Sequence, residues 1–531
     1  MRGLATRALV FGALGLVALP VLFLLYQSAS LLTGEAVAVL WASSTWWATL
    51  RTVVYGLVVG VLCLGLALPL AWVTHCTDLP GRRFFQVVLN LPLAVPSYVS
   101  AYVVVAALGH GGWVHFLLEP LGVESMPDVR GGVGATLALL WSYPFALLVV
   151  QAALARLDPR LWEAAQSLGA SPWQAFRRVV LPTLTPALGA GFLLVALYAI
   201  SDFGAVSLLR FKTLSFVIYQ RHDSILETYQ DEAVFLSLLL VVIAGLFVAG
   251  LELMRGRVTA SLSSQAAHRP WPVVPLGRWR APATAFCVAV ALVGVGLPIA
   301  VVAWWLGRGL YLGHDVGIPW RATSISAALA VVAAVVALGA AVAPALLGRF
   351  GRESDAAAVR VAALMGYALP GIAVGLALVS MVTANAYALY QTVTLLVAAY
   401  VIRFLPLALH TLSESLLAQN RRVYDAARSL GLGPTRAVTR VVLPMSRPAL
   451  WAGLLAVLIA VIKELPVTLL LAPIQVGLPG MQPVQFETLA TKIWSLTVDE
   501  FLSQVAPVVL ILLALATAGL LLRPDTTKLR R

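Results

Sequence analysis

Apolar runs dominate the chain, and they fall near 8–28, 52–74, 85–108, 133–155, 184–209, 233–254, 283–306, 323–347, 358–383, 391–412, 448–472 and 503–522. A helix needs roughly 20 apolar residues to cross about 30 Å of hydrocarbon, so the pattern predicts twelve transmembrane helices. The polar interruptions between them are short. The longest in the first half is "EAAQSLGASPWQAFRRVVLP", from Glu163 to Pro182.

That interruption occurs twice. Trp162 to Leu188 reappears at Tyr424 to Leu450 with a constant offset of 262, and 15 of 27 positions are identical. The same offset pairs Pro144 with Pro406 and Asp202 with Glu464. Farther on, "FKTLSFVIY" matches "FETLATKIW" at an offset of 275, which places about 13 extra residues, "IQVGLPGMQPVQ", in an outer loop of the second half. Internal self-similarity of this kind defines the architecture. It gives two halves of six spans, 1–254 and 283–531, joined by a linker at 255–282 that has no span of its own. Six is even, so the repeats are parallel rather than inverted.

Within the repeated stretch, "EAAQSL" favours a helix, and Gly169 suits a left-handed C-terminal cap. Ser171-Pro172-Trp173-Gln174 reads as a new helix start, with Ser171 as N-cap and Gln174 as its reciprocal partner. Trp173, Phe176 and Val180 would share one face, with Arg177 and Arg178 turned to polar surroundings. Such a bent pair of short helices suits a partner's groove. The plainer reading is an amphipathic connector on the lipid headgroups. Two equivalent copies favour docking to a partner arranged with twofold symmetry.

Composition agrees with a bilayer location. Of 531 residues, 60% are hydrophobic and only 11% charged, which excludes an ordinary soluble domain. The net charge of +13 does not point to nucleic acid here. Lys and Arg concentrate in segments that lie inside if the N-terminus is inside, as the positive-inside rule requires, so both termini are expected in the cytoplasm. A cleaved secretory signal at the first run would leave an odd number of spans and is disfavoured. Cys63, Cys76 and Cys287 have neither metal nor disulfide spacing.

The pattern Glu-Ala-Ala, then Gly, then Leu-Pro resembles the cytoplasmic signature of permeases in binding-protein-dependent ABC importers, and the likeness spans nearly the whole chain. It implies an all-α polytopic protein of the bacterial inner membrane, built like a type I importer permease. In that family the loop is a coupling helix seated on the ATP-hydrolysing subunit. The resemblance carries this role onto Glu163, Ala164, Ala165, Gly169, Leu181 and Pro182 within loop 160–182. In loop 421–444 it falls on Asp425, Ala426, Ala427, Gly431, Leu443 and Pro444, with Asp425 departing from the usual glutamate. Implied partners are two ATPase subunits, an extracytoplasmic solute-binding protein and membrane lipid.

"ISDFGAVSLLRFKTLSFVIYQ", "KELPVTLLLAP" and "FETLATKIW" look like the ferric-iron type of this permease. Permeases for thiamine, polyamines or oxyanions share the framework. An ion-coupled secondary transporter fits twelve spans but gives the paired loops no purpose. No phosphate-binding Gly-x-x-x-x-Gly-Lys motif occurs, so the chain is expected to be a non-enzymatic transport subunit that binds no cofactor, with ATP used by a partner.

Charges inside spans cost about 2.5–3.5 kcal/mol near the bilayer centre, which singles out Asp202, Arg403, Lys463 and Glu464 as candidates for the solute path. Asp202 and Glu464 lie about 24 Å along their helices from Pro186 and Pro448, towards the outer third. Carboxylates suit a hard cation such as ferric ion. The alternatives are an ion pair, of Glu464 with Arg403 for instance, or a gate between the halves. No metal ligand is assigned. His410 reads as a packed residue, Tyr198, Ser201 and Tyr219 as candidate lining, and Pro92, Pro96 and Pro370 as kinks.

Overall fold

The protein is described by a computed structural model covering residues 4–32, 35–122, 126–262, 271–476 and 484–522. Much of the expected linker, the tip of the inserted segment and both chain ends lie outside the described residues. Twelve apolar helices stand where twelve spans are expected. In chain order they are α1 (Leu4–Ser30), α2 (Ser43–Cys76), α3 (Ser97–Leu108), α4 (Gly132–Leu154), α5 (Leu181–Ile200), α6 (Glu227–Leu262), α7 (Gly277–Tyr311), α8 (Trp320–Phe350), α9 (Gly371–Asn385), α10 (Val393–Ala418), α11 (Arg447–Ile462) and α12 (Leu502–Leu521). Among the described residues nine helices are long and apolar enough to cross a membrane by themselves. Arg447–Ile462 reaches that length only together with Pro434–Met445, from which it is bent by 68° at Ser446, and α1 and α9 supply the two shorter apolar segments. Gln475 and Val476 pair with Gln485 and Val484 in a two-stranded antiparallel ribbon at the base of the inserted segment.

Helices pack in lipid through small residues and close approach, because tails offer no hydrophobic drive between them. Gly60 of α2 is an instance: a Cβ there would stand 2.8 Å from the Phe192 ring of α5. The sets α2, α4, α5 and α8, α10, α11 form equivalent cores, the second lined by Ala330, Ala333, Ala334 and Ala337.

The first helix of each half crosses over. α1 packs on α8, α9 and α10 of the second half as well as on α6, while α7 packs on α3 of the first half as well as on α12. The two sequence repeats are therefore not two independently packed bodies.

The motif repeated at offset 275 has a structural purpose. The backbone N–H of Leu214 donates to Thr52 Oγ1 at 2.8 Å, and that of Leu489 donates to Ser326 Oγ, also at 2.8 Å. Each hydroxyl satisfies one of the open donors at a helix start. Thr52→Val or Ser326→Ala would leave a buried N–H without its acceptor, at a cost of about 1–3 kcal/mol. Thermal unfolding of the protein in lipid discs should show a lower midpoint for each, and the two effects should add because the sites share no partner.

Four spans that read as continuous in sequence are broken. The run at 85–108 divides at Leu89–Pro96, that at 184–209 at Ser201–Phe203, that at 358–383 at Leu369–Pro370 and that at 448–472 at Lys463–Leu465. Pro96 and Pro370 take extended backbone, with ψ of 155° and 136°, immediately before α3 and α9. Their missing N–H and fixed φ end one helix and open the next.

Candidate functional site

The breaks converge. A cavity of about 220 Å³ is lined by Pro92, Leu93, Val95 and Pro96 from the first break, Asp202 and neighbours from the second, and Lys463 to Pro466 from the last. Arg403 of α10 also lines it and ties in the remaining break, because its Nη1 donates to the Leu369 carbonyl at 3.0 Å.

Asp202 and Glu464 lie just past the ends of α5 and α11, not within continuous helices as the sequence suggested. Each caps the short helix that follows. Asp202 Oδ2 accepts from the backbone N–H of Ala205 at 2.9 Å and of Val206 at 3.4 Å, at the start of Gly204–Leu208. Glu464 Oε1 accepts from Val467 N–H at 3.2 Å, at the start of Pro466–Leu471. A carboxylate placed there satisfies open donors and meets the positive end of the helix dipole.

The two halves then diverge. Glu464 Oε2 accepts from Arg403 Nε at 3.0 Å with the glutamate only 6% exposed, so the ion pair with Arg403 weighed from the sequence is present. Lys463 Nζ donates to the Leu93 carbonyl at 3.0 Å, joining α11 of the second half to the first break of the other half. At the offset of 262, Arg403 corresponds to Trp141 and Lys463 to Ser201. Trp141 Nε1 donates instead to the Gly294 carbonyl of α7, and Ser201 Oγ is buried without a hydrogen-bond partner among the described residues. Both cations of the cavity thus come from one half. Tyr198 and Ser201 line it, whereas Tyr219 does not. No group of three metal-ligating side chains occurs among the described residues, at His410 or elsewhere.

The repeated polar stretches have nearly the same backbone. Asp158 and Asn420 cap their first helices through the N–H of Arg160 and Arg422, each at 3.0 Å. Gly169 and Gly431 end them at φ of +86° and +85°. There the N–H of Ala170 reaches the Ala165 carbonyl and that of Leu432 the Ala427 carbonyl, closing a Schellman motif in both copies. Ala164 and Ala426 accept from Leu168 and Leu430. A π-helical turn follows in each copy, Phe176–Val180 and Val438–Val442, and is closed by Leu181 and Leu443. Pro182 and Pro444 come next, cannot donate, and would clash with a normal turn, which accounts for the widening. The alanines, glycine and Leu-Pro of the motif therefore all fix backbone shape. Glu163 is half-buried and Asp425 exposed, both on the first helix of their stretch.

Side chains differentiate the copies. The expected capping box of Ser171 and Gln174 is present, but Gly433 replaces the serine in the second copy. Val180 is buried, Phe176 meets Trp72 edge-on at 4.6 Å between ring centroids, and Trp173 stacks on Phe176 while remaining 67% exposed. Trp173 thus stands at the rim of the face predicted for all three. Leu168 at 89% and Leu430 at 85% exposure project from the two bends. In the second copy Tyr424 rests on Phe350 at 4.6 Å, and the bend at Ser446 separates the stretch from α11.

Comparison with known proteins places this geometry. The family profile described as "Binding-protein-dependent transport system inner membrane component" matches twice, over residues 77–253 and 335–523. The Fe(3+)-transport system permease protein FbpB 2 of Haemophilus influenzae is 30% identical over 442 residues, covering 81% of this chain and 80% of that protein. A probable sulfate transport system permease protein, cysT of Chlorokybus atmophyticus, is 33% identical over 34% of this chain and 63% of its own length. The sulfate permease CysW of Synechocystis is 33% identical over 35% of this chain and 67% of its own length. With the profile matched in both halves, and a relative aligned through most of the chain, the protein belongs to the binding-protein-dependent transport system inner membrane component family, as a multi-pass permease subunit of an ABC transporter with two fused repeats.

Proposed function

We propose that this permease imports ferric iron handed over by an extracytoplasmic binding protein, with ATP hydrolysed on two separate subunits. The observation that carries the reading is the alignment with the ferric-iron permease through both fused halves, whereas the sulfate permeases named above align over about a third of the chain. In this reading both termini and both repeated stretches face the cytoplasm. The stretches 160–182 and 421–444 are the coupling loops, and the exposed Leu168 and Leu430 are their contacts with the ATPases.

Asp202 and Glu464 line the solute path and hold its width by capping the helices at the breaks. Movement between inward-facing and outward-facing packings then changes the distance between two capped helices, without unwinding them. A second reading, an oxyanion cargo, is favoured by Arg403 and Lys463 at the cavity.

Uptake of radioactive ferric iron and of radioactive sulfate, in cells lacking the gene and complemented with the wild-type chain, separates the two. Iron uptake restored without sulfate uptake is the expected result. Restoration of sulfate uptake alone would overturn the iron assignment and favour the second reading.

A further inference from the structure

A second concavity lies where the halves meet, at the other end of the short helix Gly204–Leu208 from Asp202. Its volume is about 590 Å³, and Arg130, Arg210, Lys212, Tyr219, Asp223 and Trp494 are among its lining. Tyr219 and Trp494 are equivalent at the offset of 275, and their rings touch edge-on with centroids 6.0 Å apart. Positions that touch their own equivalents lie close to the axis relating two repeats. Asp202 and Glu464, another equivalent pair, line the central cavity, so the two spaces lie on one axis. Trp494 Nε1 also donates to Ser207 Oγ at 3.2 Å, which makes Gly204–Leu208 the partition between them.

The lining is cationic on one side only. Arg130 is held by Glu500. Arg210 and Lys212 have no ion-pair partner among the described residues, and Asp223 is the one acid lining the space. Arg210 also has a positive φ, +53°, an uncommon conformation for a long side chain. In the second half the equivalents are Gln485 and Glu487, and Glu487 is paired with Lys492 at 2.9 Å. The positive charge is therefore a departure from the repeat, confined to the space on the axis. A concave site with two cations outside any ion pair among the described residues, and with the Tyr219 side chain, suits a compact, multiply charged anion whose oxygens accept hydrogen bonds.

We propose that this space is an anion-binding antechamber, and that cargo enters the path either as an oxyanion or as a metal ion carried with oxygen-anion ligands. Ferric iron and sulfate would both qualify, the former only when chelated, so the inference does not depend on which cargo is imported.

The test is equilibrium binding of [35S]sulfate and of 55Fe-labelled ferric citrate to the full chain in lipid discs, without binding protein, at low and high sodium chloride. Arg210→Gln with Lys212→Gln should weaken binding at least tenfold. The charge-preserving pair Arg210→Lys with Lys212→Arg should retain it, Glu487→Gln should leave it within twofold, and salt should weaken the wild type. Equal binding of both probes by wild type and the double glutamine variant, or no binding of either probe, overturns the proposal and leaves these cations for an acidic partner surface. Sulfate binding lost in the variant, with no ferric citrate binding to wild type, supports the antechamber while counting against iron. Iron uptake in cells that is unaffected by the double variant does the reverse.

Discussion

Replacing Gly169 and Gly431 together with proline is expected to reduce uptake to the level of cells lacking the gene, with normal amounts of protein in the membrane. Both glycines hold φ near +85° and donate their N–H, to the carbonyls of Gln166 and Arg428. Proline fixes φ near −65° and has no N–H to donate, so both features of the cap disappear and the exposed leucines beside it are re-aimed. Gly169→Ala with Gly431→Ala should be milder, because a left-handed alanine costs about 1–2 kcal/mol but keeps the hydrogen bond. ATP hydrolysis by the assembled transporter gives the second readout: it should lose its response to loaded binding protein in the proline variant. Wild-type uptake by that variant would show that these bends do not transmit the motion.

The second large effect concerns the buried ion pair. Arg403→Met would leave Glu464 buried without its cation and the Leu369 carbonyl without its donor. Removing one partner of such a pair costs about 3–5 kcal/mol, whereas neutralising both can be nearly without effect. Arg403→Met should therefore lower the unfolding midpoint in lipid discs sharply, and adding Glu464→Gln should recover a large part of the loss. A double variant no better than the single one would place the cost elsewhere, in the packing of Arg403 against its neighbours.

The spans were legible because hydropathy averages over twenty residues, and twelve apolar helices do stand at the twelve runs. That averaging is blind to the breaks, which involve only a few backbone hydrogen bonds within an otherwise apolar run. Local chemistry pointed at two of them, since Pro92, Pro96 and Pro370 read as kinks, whereas Asp202 and Glu464 read as charges inside continuous spans and gave no sign of the breaks whose following helices they cap. The repeated loops were the most readable part, since Gly169, Ser171 and Gln174 act through neighbours three to five residues away. Contacts between halves left no comparable trace. Nothing in the order of residues places Lys463 beside Leu93, α1 on α8, or Arg210 and Lys212 on the same axis as Asp202.

The crossing of α1 onto the second half sets a schedule for synthesis. Its packing surface on α8, α9 and α10 does not exist when α1 leaves the ribosome, because about 290 residues separate Ser30 from Trp320. At about 5–20 residues per second that interval lasts roughly 15 to 60 s. Of the four helices named as its neighbours, α6 alone is complete by the end of that interval, so the docking of α1 on α8, α9 and α10 follows synthesis of the second half.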